Sequence, residues 1–202
     1  MAPSPAPARL AFPFIGGRPC LDFTATLGKR HTEPFERLTD PAALARWIGE
    51  AGLRGAGPQQ AAVTGPQLTA ARELRESLHR VLMAAMDGRA PEADDLERVN
   101  AAAARPDLAP RLAFDPPGRP VLHTAGGSAR HDVRAALSTV ARDAVSLIGG
   151  PLLGRVKECE NPECSLLFLD DSQARRRRWC SMDRCGNLAK IANYRSRTRR
   201  DT

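Results

Sequence analysis

The chain has 202 residues and a mass of 21.8 kDa, enough for one medium domain or for a domain with a small appended module. Its 42% hydrophobic and 26% charged residues are typical of a globular protein, and the net charge of +7 favours an anionic partner. No apolar run approaches the roughly 18 residues of a membrane span, and the Pro/Ala-rich start lacks the pattern of a secretory signal. We therefore expect a cytoplasmic protein with no membrane partner.

The first third of the chain predicts a tail, a turn and two helices. Residues 1–12 read as a flexible tail. Residues 14–27 read as a Gly-Gly turn before a short strand or helix, and periodicity does not decide between the two. Residues 39–53 predict a helix capped by Asp40, and residues 67–88 predict a longer amphipathic helix.

The middle of the chain predicts two more helices around a hairpin. Residues 91–104 favour a helix with acidic residues in its first turn, residues 111–125 a β-hairpin and residues 128–148 a long helix. Gly149-Gly150-Pro151 then marks a domain boundary. The predicted fold is α+β: a mainly helical domain over residues 13–150 with a small β-hairpin, followed by a separate module over residues 151–202.

That module contains four of the five cysteines, in two pairs of equal spacing. Cys159 and Cys164 are separated by four residues, as are Cys180 and Cys185, and fifteen residues lie between the pairs. Each short turn can direct two sulfurs to one point, so the pattern predicts one structural Zn²⁺ with four thiolate ligands. An iron-sulfur cluster and a metal-free thiol redox switch are the alternatives for this cluster.

The segment around and beyond the second cysteine pair is strongly basic. Residues 172–202 contain 10 Lys and Arg against 2 Asp and Glu. A helix from Asp183 to about Arg199 would place Leu188, Ile191 and Ala192 over the zinc knuckles, together with Trp179 and Phe168. Its opposite face, with the preceding arginine run, would contact phosphates and base edges of duplex DNA. The candidate contacts are Arg175, Arg176, Arg177, Arg178, Asn187, Lys190, Asn193, Tyr194, Arg197 and Arg200.

These residues resemble the bacterial CGNR zinc-finger family, through the four cysteines and the run Cys185-Gly186-Asn187. Leu188 stands where that motif has an arginine. The segment FIGGRPCLDFTATL and the helix that follows it resemble the ABATE domain, which precedes this finger in the family; Ala25 and Thr26 stand where the family tends to have Asn-Thr. The resemblance implies a stress-induced transcription regulator that binds DNA, with a sensing domain before the finger.

Three functions are compatible with the residues. The first is a zinc-dependent DNA-binding regulator whose first domain binds a small-molecule effector or a second copy, and whose thiols could also sense oxidants. The second is an RNA-binding or ribosome-associated zinc protein, for which Trp179 and Tyr194 would offer stacking rings. The third is an enzyme using Asp22, His123 or His131. Because the sequence has no nucleophile motif, phosphate loop or paired-carboxylate signature, we expect no catalysis.

Overall fold

A computed structural model describes residues 10–53, 62–125 and 132–191 of the chain. The predicted fold class is confirmed: the described elements are mostly helices with small antiparallel hairpins. None of the helices in these ranges is long and apolar enough to cross a membrane.

Residues 38–153 form one compact unit, called unit 2 here, and residues 1–37 and 154–202 form the other, called unit 1. The division differs from the ranges 13–150 and 151–202 that the sequence predicts. Residues up to Arg37 fall within the unit that contains the cysteines, although they precede them by more than a hundred positions. Phe12, which the sequence places in the tail, is buried.

The helices of unit 2 are α2 (Pro41–Glu50), α3 (Gly65–Met86), α4 (Ala93–Ala103) and α5 (Asp132–Ile148). Their starts follow local sequence signals. The backbone N–H of Ala43 donates to the Asp40 carboxylate at 2.8 Å, as the sequence predicts, and Thr64 forms a capping box with Gln67. The helix predicted from residue 128 is described from Asp132 onward, because residues 126–131 lie outside the described ranges.

The core of unit 2 is aliphatic apart from Trp47. Helix α3 packs against α2, α4 and α5, and α5 also packs against α2 and α4. The largest fully buried side chains are Leu38, Leu44, Trp47, Leu78, Leu82, Val99, Val140 and Leu147. Strands β3 (Ala109–Asp115) and β4 (Arg119–Ala125) form the predicted hairpin, with Leu112 paired to Leu122 and Asp115 to Arg119.

A polar contact joins α3 to α4 near the start of α4. The buried Asp95 carboxylate accepts hydrogen bonds from Ser77 Oγ at 2.8 Å and from the Arg80 guanidinium at 2.6 and 2.5 Å. The bond from Arg80 holds the pKa of Asp95 below its usual value, against the opposing effect of burial. Asp95 therefore stays ionised and fixes the two helices in register.

Unit 1 is built from short elements drawn from both ends of the chain. Its N-terminal part contains helix α1 (Pro19–Thr24) and the paired strands β1 (Leu27–Gly28) and β2 (Phe35–Glu36). After a single turn of 3-10 helix, Leu153–Arg155, its C-terminal part contains the antiparallel strands β5 (Val156–Glu158) and β6 (Leu167–Leu169). A π-helical turn, Met182–Gly186, continues into a helix over residues 187–191, where the described part of the chain ends.

Candidate metal centre and nucleic-acid interface

The first cysteine pair lies in the loop that joins β5 to β6. The Cys159 N–H donates to the carbonyl of Leu166 at 3.0 Å, which extends the strand pairing by one residue. The Cys164 N–H donates to the carbonyl of Asn161 at 2.7 Å and closes a tight turn. Further backbone N–H groups, those of Asn161 and Leu166, donate to the two sulfurs. The hairpin thus directs both thiols to the same side.

The second cysteine pair is held by the π-helical turn. The carbonyl of Ser181 accepts from the N–H of Cys185 at 3.1 Å and from that of Gly186 at 3.0 Å. The bond to Gly186 spans five residues, so this turn is wider than an α-helical one. The wider turn lets Cys180 and Cys185 face one point despite their four-residue separation. The Glu160 N–H donates to the carbonyl of Arg178 at 2.9 Å and joins the two knuckles.

The four sulfurs form a compact group that fits zinc. All four ligand atoms lie within 4.8 Å of one another, with Cys164 Sγ to Cys180 Sγ at 3.8 Å and Cys180 Sγ to Cys185 Sγ at 3.7 Å. Zn–S bonds of about 2.3 Å in a tetrahedron place the sulfurs about 3.8 Å apart. Cys159, Cys180 and Cys185 are buried and Cys164 is half-buried. The geometry suits a closed, structural ion.

The thiols also influence one another's ionisation. Hydrogen bonds from Cys164 and Cys180 lower the pKa of Cys159 to about 2. The bond to Cys159 contributes most to raising the pKa of Cys164 to about 12, and it raises the pKa of Cys180 as well. The thiolate form of Cys159 is therefore stabilised, while Cys164 and Cys180 are kept protonated as its hydrogen-bond donors. A bound divalent cation removes this conflict, because its charge favours the thiolate form of a ligating cysteine.

The N-terminal part of unit 1 forms one wall of the metal centre. Ala25, at the end of α1, is buried in the same apolar cluster as Cys159, Cys180 and Cys185. The Leu169 N–H donates to the carbonyl of Gly16 at 2.8 Å, and α1 packs on β6. The sequence gives no signal for this wall, because no motif spacing connects residues 16–30 with the cysteines.

Two further contacts attach the β1–β2 turn to the first knuckle. The Arg30 N–H donates to Ser165 Oγ, next to Cys164, at 2.9 Å, and Lys29 Nζ pairs with Glu163 at 3.0 Å. Ser165 is buried, so its hydroxyl is a fixed acceptor. The metal centre is thus completed by residues from both ends of the chain.

A buried ion pair shapes the loop that carries the arginine run. The Asp170 carboxylate, fully buried, accepts from Lys157 Nζ at 2.6 Å, from Ser172 Oγ at 2.5 Å and from the Arg177 N–H at 2.9 Å. Burial opposes ionisation of Asp170, but these donors outweigh it and hold its pKa well below the usual range. Lys157 also donates to the carbonyl of Arg175 at 2.7 Å, so the loop backbone is pinned from within.

The four arginines have different surroundings. Arg177 is half-buried, with its guanidinium over the Phe168 ring and donating to the carbonyl of Cys180 at 2.8 Å. Arg178 lies over the Trp179 ring and pairs with Glu160 at 2.6 Å. Arg175 and Arg176 are exposed. Arg175 and Arg176 are therefore the most accessible to a phosphate group. DNA contact by any of the four arginines stays a prediction.

The predicted packing of the last helix is wrong for its aliphatic residues. Leu188 is 58% exposed and Ile191 49% exposed, so neither covers the zinc knuckles. Phe168 and Trp179 do pack on the cysteine cluster, as predicted. The knuckles are closed instead by Phe168, Leu166 and Ala25.

The other predicted DNA contacts divide between described and undescribed positions. Asn187 and Lys190 are exposed on the helix. Ala192 of the predicted aliphatic side also lies outside the described residues, as do Asn193, Tyr194, Arg197 and Arg200. Arg184, which the sequence-based set omits, is exposed; after burial, its charge is the largest cause that lowers the pKa of Arg37. Its place before the Cys-Gly-Asn run is the signal that could have included it.

Of the three residues considered for catalysis, only Asp22 has a described side chain. The Asp22 carboxylate accepts the Gly16 N–H at 2.7 Å and so holds the Gly-Gly turn. His131 lies outside the described residues, and His123 is described only through its backbone. The absence of catalysis stays a prediction.

Two family models match the chain. The model of the ABATE family, described as "Putative stress-induced transcription regulator", matches residues 17–151. The model of the CGNR zinc finger matches residues 155–198, a range that includes all four clustered cysteines. No curated protein matches the chain. With the sulfur geometry, the finger match identifies the ligands: Cys159, Cys164, Cys180 and Cys185 hold one structural zinc ion.

Proposed function

This chain belongs to the ABATE family and carries a CGNR zinc finger, and we propose that it regulates transcription by binding duplex DNA through that finger. The observation that carries the proposal is the juxtaposition of the closed four-cysteine centre with exposed cations. Arg175, Arg176, Arg184 and Lys190 are exposed around the second knuckle and the helix that follows it. A rigid basic surface of this kind supplies phosphate contacts and releases counterions.

The zinc has a positioning role in this proposal. It fixes the turn from which the last helix starts, and the Lys157–Asp170 pair fixes the loop before it. Since both supports are internal, the exposed cations are presented without a large loss of backbone freedom on binding. The metal supplies structure and no reaction.

The remaining parts of the proposal concern location and regulation. We place the protein in the cytoplasm, associated with the nucleoid, and assign no catalytic activity to it. Unit 2 would receive the signal, either a small-molecule effector or a second copy of the chain. Support for a regulatory role comes from the ABATE match, which covers residues 17–37 of unit 1 and residues 38–151 of unit 2.

Fluorescence anisotropy with labelled duplex DNA at several salt concentrations tests the proposal. Each phosphate contact contributes about 0.9 to the slope of log K against log salt, so Arg175→Ala with Arg176→Ala should reduce the slope by about 2. The control variant replaces two exposed arginines of unit 2, Arg119→Ala with Arg134→Ala. Its net charge equals that of the Arg175→Ala, Arg176→Ala variant. Absence of duplex binding by the wild type at low salt would refute DNA binding, and stronger binding to structured RNA would favour the RNA alternative.

A further inference from the structure

The helix that follows the zinc knuckle has an outer face of mixed chemistry. At about 100° per residue, Lys190, Asn187, Ile191 and Leu188 follow one another around one side of the helix. All four are exposed, whereas Ala189, on the other side, is half-buried. We call these four residues the outer face. Half of it is cationic or amide, and the other half is aliphatic.

The aliphatic half is exposed although both of its side chains are large. Leu188 and Ile191 are 58% and 49% exposed, while the large aliphatic side chains Leu166 and Leu167 in the same unit are buried. Leu188 also borders a hollow of about 490 Å³ that is lined by Trp179, Ala189 and the first knuckle. The carboxylates in this lining, Glu160 and Glu163, pair with Arg178 and Lys29. Exposed apolar groups that adjoin one another mark a contact site more often than scattered ones do.

Charge indicates what covers this surface. The outer face includes Lys190, the preceding π-helical turn contains the exposed Arg184, and the segment 172–202 has 10 basic against 2 acidic residues. This excess of positive charge attracts a polyanion. In the major groove of DNA, the group that an aliphatic side chain can contact is the C5-methyl of thymine.

Resting on the proposed function, we propose that Leu188 and Ile191 determine sequence specificity by contacting thymine methyl groups in the major groove. Asn187 and Lys190, beside them on the outer face, are residue types that bind adenine edges and phosphates or guanine. The outer face therefore selects sites in which thymines are placed against the aliphatic pair. Leu188 thereby gives this chain an apolar contact at the position of the motif arginine.

The test separates methyl recognition from DNA binding in general. A duplex is first recovered from a random pool by binding to the full wild-type chain. It is then synthesised with thymidine or with deoxyuridine at every T position, which removes only the C5-methyl groups. Affinities are measured by anisotropy for the wild type, for Leu188→Ala with Ile191→Ala, and for the control Leu96→Ala. Leu96 is 42% exposed on α4 of unit 2.

If one thymine methyl is buried by the protein, the deoxyuridine duplex should bind the wild type about fourfold more weakly than the thymidine duplex. If two are buried, the difference should be about fifteenfold. The same difference in affinity between the two duplexes is expected for Leu96→Ala. The Leu188→Ala, Ile191→Ala variant should bind both duplexes equally. Equal wild-type affinity for the two duplexes would overturn the inference while leaving DNA binding intact. No binding to either duplex would overturn the proposed function. A lower sedimentation coefficient for the double variant would identify the aliphatic pair as a contact between two copies, and would also overturn the inference.

Discussion

Replacing Phe168 with alanine should weaken zinc binding, although Phe168 is not a ligand. Phe168 is fully buried among Cys159, Cys180 and Cys185, and the Arg177 guanidinium covers its ring at 4.8 Å. Truncating a buried phenylalanine to alanine costs about 3–5 kcal/mol. Small metal modules fold together with their metal, so this loss is subtracted from the free energy of zinc binding. The apparent affinity should fall by roughly two to three and a half orders of magnitude.

Competition with a chromophoric chelator at fixed pH measures this effect. The matched control is Phe114→Ala in the β3–β4 hairpin, where the side chain is 64% exposed, and its zinc affinity should equal that of the wild type. The reasoning is refuted if Phe168→Ala binds zinc within about threefold of the wild type, a difference of less than 1 kcal/mol. Such a result would mean that the four sulfurs assemble without the apolar cluster.

Three other outcomes follow from the contacts described. Cys164→Ser should reduce the metal content from about one zinc per chain to near zero. Hydrogen exchange should then become faster at residues 16–30 as well. Unchanged protection of residues 16–30 would contradict their role as a wall of the metal centre. Leu82→Ala should lower the free energy of unfolding of unit 2 by about 2–5 kcal/mol in urea, with zinc content unchanged. Because its donors lower the pKa of Asp170, the ionised carboxylate stabilises the fold above the unfolded-state pKa, and this is lost as the pH falls through the folded-state pKa. Asp170→Asn should therefore be less stable than the wild type at neutral pH, by a difference in thermal midpoint that narrows in acid.

The parts of the fold that could be predicted are those encoded by nearby residues. Asp40 before Pro41 defines the start of α2, and turn residues define the β3–β4 hairpin. The cysteine spacing is equally local, and it predicted the whole ligand set. In each case the physical cause acts over a few positions of the chain.

The features that escaped prediction depend on contacts between distant residues. Nothing near Ala25 indicates that it packs on cysteines more than a hundred positions away. The periodicity of the last helix predicts a buried side for Leu188 and Ile191, but both are exposed, because a period identifies a face and not its environment. Charge alone predicts the same phosphate-binding role for Arg177 as for its neighbours, whereas its guanidinium contacts the Phe168 ring and the carbonyl of Cys180.

The interleaving of the two units has a consequence for biosynthesis. Gly16 leaves the ribosome long before Leu169, to whose N–H its carbonyl is bonded, and the whole of unit 2 is made between them. Domains fold in the order in which they are completed. Unit 2 is therefore folded before the C-terminal residues of unit 1, which the N-terminal residues contact, have been synthesised. The entropic penalty of closing so long a loop grows slowly, by about 0.6 kcal/mol per doubling of length. Zinc loading is therefore a late event, and a nascent chain that stalls before Cys180 exposes the apolar side of α1 to chaperones and proteases.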